Sequence, residues 1–101
     1  MQLALKPNTV YTFKLTSGEE LITKVIQSGG DFLKIEEPVS IAPSAKGMGF
    51  MPTVFTADPK GEFMLNTSTI TVYSETDEDI KMKYLEATTG IKVPEKKIVL
   101  G

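Results

Sequence analysis

Residues 10–41, read as VYTFKLT, SGE, ELITKVIQ, SGGD and FLKIEEPVSI, decide the fold. Three short runs of mixed apolar and polar residues are separated by two glycine-bearing turns, which is the pattern of a bent antiparallel meander. In the first run, Tyr11, Phe13 and Leu15 share one face, and Val10, Thr12 and Lys14 share the other. Two aromatics and a leucine make the Tyr11 set the expected core face. Ser17-Gly18-Glu19 is a tight turn in which glycine supplies a positive φ. The second run, residues 20–27, carries Leu21, Ile22, Val25 and Ile26 as adjacent pairs. Either both of its faces are covered, or a bulge shifts the phase midway. Ser28-Gly29-Gly30-Asp31 is the second turn. The third run extends from Phe32 to about Ile41, with Pro38 weakening its middle.

The 101 residues set limits around this meander. The length suits one domain with a modest core, in a size range where association between copies often buries further surface. Hydrophobic residues make up 41% and charged residues 24%, the balance of an ordinary globular domain. No apolar run approaches the roughly 20 residues that cross a bilayer. MQLALKPNTV has no basic region ahead of an apolar stretch, so no signal peptide is expected. The chain has no Cys, and a reducing cytoplasm is compatible with that; the expected location is cytoplasmic. It also has no His, which removes the common transition-metal sites and histidine proton relays. All 11 basic residues are lysines, so the bidentate guanidinium fork for phosphate or guanine is missing. No nucleophile and base pair can be nominated, and the chain is read as a non-enzyme without cofactor or metal.

Beyond the meander the pattern loosens. Residues 1–9 read as a polar lead-in broken at Pro7-Asn8. PSAKGMG (43–49) reads as a loop, GFMPTVFTA (49–57) as a strand with an edge-type Pro52, and ADPKGE (57–62) as a turn. FMLNTSTITVYSE then gives a short strand, a polar corner at Asn66-Thr67-Ser68, and a final strand over 69–74. Thr76-Asp77-Glu78-Asp79 is a helix start with acids at the positive end, and Gly90 is the expected stop. Over this helix, about 77–89, Ile80, Tyr84 and Ala87 share a face flanked by Met82 and Leu85. The tail, 91–101, either pairs as an edge strand or stays loose.

With these residues in view, the chain resembles the Sm-like (LSm, Hfq-related) small β-barrel family, including its divergent phage branch attributed to cyanophage. Leu15, Gly18, Glu20, Leu21 and Val25 match the family's first signature in kind. Leu65, Asn66, Thr67, Ser68, Thr69, Ile70 and Val72 follow its second: an aliphatic residue, a polar corner, then a run of aliphatics. The likeness spans about Val10 to Tyr73, the barrel core being about 10–75 of a single domain covering 1–101. It implies a mainly β fold: a small, strongly bent, five-stranded antiparallel barrel of SH3-like form with a C-terminal helix. It further implies a homo-oligomeric ring of five to seven subunits and association with single-stranded RNA. Three departures stand out. The family's bend-permitting glycine on the second strand is Thr23 here, its base-binding Asp and Asn have no clear equivalents, and its Arg-Gly is Asn66-Thr67. Base recognition is therefore expected to be altered.

The resemblance places Gly30, Asp31, Phe32, Asn66, Thr67 and Ser68 at the nucleotide site. Phe32 could stack on a base, and Asp31 or Asn66 could read its edge. The competing reading puts Phe32 in the core and leaves the others as turn residues. In Sm-like rings the strands before and after the polar corner sit at opposite edges and pair between neighbours, which removes exposed edges. Phe50, Met51, Val54, Phe55, Ile70 and Val72 are the residues expected at or beside those edges. Lys14, Lys24 and Lys34 are either a basic face or ordinary solvated surface. Net charge −2 argues mildly against strong nucleic-acid binding. A structural or adaptor ring that binds protein and no RNA is the alternative function.

Overall fold

The computed structural model describes residues 3–45 and 47–89. Gly90 and the 91–101 tail lie outside the described residues. Six strands form one antiparallel sheet: β1 (Thr9–Leu15), β2 (Glu20–Gly29), β3 (Phe32–Ser44), β4 (Gly47–Pro52), β5 (Glu62–Asn66) and β6 (Ile70–Glu75), followed by helix α1 (Glu78–Thr89). The order is β4-β3-β2-β1-β6, with β5 also pairing β3. The molecule is thus mainly β with a bent, barrel-like sheet and a C-terminal helix. The expected count of five strands becomes six, and the sheet is not closed. PSAKGMG, expected as a loop, has its ends in a hairpin: β3 runs on to Ser44, β4 starts at Gly47, and Ser44 faces Gly47 in the register. Gly47, at φ 114, provides the left-handed step that this hairpin needs. β4 stops at Pro52, so Val54 and Phe55 fall in irregular chain rather than in a strand.

Both alternatives for β2 hold at once. Leu21, Ile22, Thr23 and Val25 are all buried, so its two faces are both covered. The β2–β3 register also shifts twice, between Ile22 and Lys24 and between Val25 and Gln27. At the first shift Thr23 stands opposite two residues, Glu37 and Pro38, and Glu37 takes a left-handed φ of 51°. The bend that a glycine would permit on β2 is therefore made on β3, by a bulge. The buried Thr23 hydroxyl donates to the Glu36 carbonyl at 2.6 Å and fixes it. Because of this bend, β3 pairs β5 through Phe32–Glu36 and β4 through Val39–Ser44.

Two apolar clusters lie on the two sides of the sheet. Inside the bend are Leu3, Tyr11, Phe13, Leu21, Val25, Leu33, Ile35 and Ile70. Tyr11 and Phe13 are where alternation puts them; Leu3, read as part of a polar lead-in, is buried with them. The lead-in is tied down by Leu5 N–H to Ser28 Oγ (3.1 Å) and Lys6 N–H to the Tyr11 hydroxyl (3.0 Å). On the outer side, Val10, Ile22 and Tyr84 are buried together, with Val39, Ile41, Phe50, Ile80 and Leu85 packed around them. The Val10 face is thus a second core, roofed by α1. Asp77 caps the helix, accepting from Asp79 N–H (3.1 Å) and Ile80 N–H (3.3 Å). The inward row of α1 is Ile80, Tyr84 and Thr88; Ala87, expected inward, is exposed. No helix among the described residues is long and apolar enough to cross a membrane.

Candidate functional site

The β2–β3 turn and the polar corner between β5 and β6 meet at one end of the sheet. Gly30 makes the turn at φ 57, and β3 then starts with Phe32 directly opposite Asn66 of β5. The Asp31 carbonyl accepts both the Thr67 N–H (2.9 Å) and the Thr67 hydroxyl (3.1 Å). Thr67–Thr69 forms a single 3-10 turn, with Asn66 as its cap: Asn66 Oδ1 accepts the Ser68 N–H at 3.0 Å. The Asn66 carbonyl takes the Thr69 hydroxyl at 2.7 Å. All six sequence-nominated residues are therefore neighbours.

They differ in what they can offer a ligand. Thr67 is fully buried and holds the two loops together. Phe32 is 43% exposed and is no part of the core, leaving ring surface for stacking. Gly30, Asp31, Asn66 and Ser68 are exposed around it. Asn66 has its side-chain oxygen committed to the turn, so its NH2 group is the part suited to a hydrogen-bond acceptor. The corner therefore offers an aromatic face, a carboxylate, an amide donor and a hydroxyl, which together suit an unstacked base.

The six residues expected at strand edges do not form one surface. Ile70 is in the inner core, whereas Val72 on β6 is 62% exposed. Phe50 packs against the outer core. Met51 and Val54 line a cleft of ≈ 350 Å³ with Phe50, Pro38, Val39 and Phe63. Phe55 stands 72% exposed beyond the end of β4. The strand preceding the corner is β5, so Met64, exposed at 60%, occupies the place given to FMPTVF. Met64 and Tyr73 were missed; alternation in FML already marks Met64 as outward, whereas in TVY it marks Val72, and Tyr73 is exposed because β6 is an edge strand.

Lys14, Lys24 and Lys34 make no basic face. The register sets Lys14 opposite Glu20 and Lys24 opposite Glu36, and Lys34 lies 3.7 Å from Glu62. Among the described residues no cluster of acids could hold a metal ion. Glu19 instead accepts from the buried Ser40 hydroxyl, which also lies 3.0 Å from the Thr53 hydroxyl. This trio ties the β1–β2 turn to β3 and to the chain after β4. No family model and no curated protein matches the sequence.

Proposed function

We propose that the chain is an Sm-like subunit that closes into a homo-oligomeric ring and binds single-stranded RNA at the Phe32–Asn66 corner. One observation carries the reading. β5 and β6, joined by the corner, each have one ladder partner among the described strands, β3 and β1, and lie on opposite edges of the sheet. Each leaves a row of amides and carbonyls available to a second copy, and pairing β5 of one copy with β6 of the next satisfies both rows. The hydrogen bonds of the corner show which amides these are. Thr67 N–H bonds to Asp31 and Thr76 N–H to Val10, so in antiparallel alternation Met64 on β5 and Tyr73 on β6, which lies on the Thr76 side of the register shift opposite Lys14–Leu15, turn their amides outward. Exposed Met64, Val72 and Tyr73 run along the same edges.

Light scattering on a sizing column tests the assembly: the expected mass is five to seven chains. Met64→Pro removes an outward amide without touching the β3–β5 ladder, and it should give single chains with an unchanged circular dichroism spectrum. A monomeric wild type overturns the ring. Labelled short RNA then tests the corner. Phe32→Ala should weaken binding by about 1–3 kcal/mol, the worth of one stacked base. A ring that binds no RNA leaves the adaptor function, which the glutamates beside Lys14, Lys24 and Lys34 favour.

A further inference from the structure

We infer that α1 is a fastened lid that opens as a unit about Thr76–Asp77, uncovering the apolar sheet face of Val10, Ile22, Val39, Ile41 and Phe50. Its hinge end is fixed: Thr76 N–H bonds to the Val10 carbonyl at 3.2 Å, and its hydroxyl lies 2.9 Å from that of Thr12. Beyond the cap, few groups among the described residues hold α1. Tyr84 is its one buried side chain, Ile80 and Leu85 are half-buried beside it, and Met82 and Ala87 are exposed. A 12-residue helix is marginal when isolated in water, so undocking and unwinding are one event.

Among the described residues, two fasteners hold the C-terminal half of α1, and both act on the same bulge. The Tyr84 hydroxyl lies 2.9 Å from the Glu37 carbonyl and 3.2 Å from that of Glu36. Lys60 Nζ reaches the Glu37 carboxylate and the Thr88 carbonyl, each at 2.9 Å. It thereby supplies the cation that the last turn of α1 lacks. When these bonds release, Thr23 still holds the Glu36 carbonyl and the β1–β2 and β2–β3 ladders remain intact. The lid can therefore open without unfolding the sheet.

Hydrogen exchange followed by mass spectrometry on the full chain tests this. The amides of 78–89 should exchange as one group, about tenfold or more faster than those of β1 and β2. Tyr84→Phe and Lys60→Met should each speed that group by about fivefold and leave β1 and β2 unchanged. A single shared rate for α1 and the strands overturns the lid, as does an equal acceleration of both by Tyr84→Phe. Should Tyr84→Phe not fold, the exposed Lys60→Met decides, and an unchanged α1 rate there overturns the lid.

Discussion

The two sides of the sheet are built on different principles. The inner core is made by strand alternation and contact among many side chains: Phe13, Leu21, Val25 and Leu33 are all but inaccessible to solvent. Phe13 also lies within ring contact of Tyr11 (6.1 Å between centroids) and of Tyr73 (6.4 Å). The outer core is roofed by α1, whose one buried side chain, Tyr84, is anchored by its hydroxyl to the Glu36 and Glu37 carbonyls at the β3 bulge. Packing spreads its energy over many neighbours, whereas a latch concentrates it in a few polar groups. The inner side should fail only with the whole fold, whereas the outer side can open by itself when its few polar fasteners release.

The largest effect should come from Phe13→Ala. Emptying this site in the inner core should cost about 3–5 kcal/mol, read as a fall in the urea midpoint. A loss under about 1 kcal/mol would mean that the inner side is no better packed than the outer.

Tyr84→Phe keeps the ring and deletes only the latch, so its expected cost is about 1 kcal/mol. Burial, the leading cause, with the neighbouring Glu37 and Glu36 adding to it, raises the Tyr84 hydroxyl well above the ordinary phenol range. Its raised folded pKa means that the stability it contributes is complete below the unfolded phenol pKa, about 10. That contribution is lost as pH rises beyond it, because ionisation then favours the unfolded chain. Wild type should therefore lose stability above about pH 10 more steeply than Tyr84→Phe. Parallel curves would show that the hydroxyl is not sealed.

Glu37→Gly sharpens the comparison with the smallest effect. Glycine relieves a left-handed backbone that costs other residues about 1–2 kcal/mol. The substitution also loses a largely exposed ion pair with Lys60, worth about 0–1 kcal/mol, and adds freedom to the unfolded chain. Thermal melts should show a gain of about 0.5 kcal/mol or less. A clear loss would show that the Glu37–Lys60 pair, more than the Tyr84 latch, holds the bulge.

The sequence by itself determined what depends on near neighbours. Alternation placed Tyr11 and Phe13 inward, Gly18 and Gly30 marked turns that take φ 92 and 57, and the acids after Thr76 marked the start of α1. The adjacent apolar pairs of β2 signalled two covered faces as well as a bulge. Convergence of Gly30–Phe32 with Asn66–Ser68 was legible too, but only through the family resemblance, since nothing local joins residues more than thirty positions apart. Tertiary structure alone decided the remainder. Only the tertiary fold shows that Thr23 faces the Glu37–Pro38 bulge, that Thr67 is sealed, that Ile70 is core while Val72 is not, and that Lys14, Lys24 and Lys34 each stand beside a glutamate. Leu3 looked like lead-in because its partners, Tyr11 and Val25, are supplied by two other segments. A residue's periodicity reports which way it points, whereas its burial depends on what the rest of the chain brings to that side.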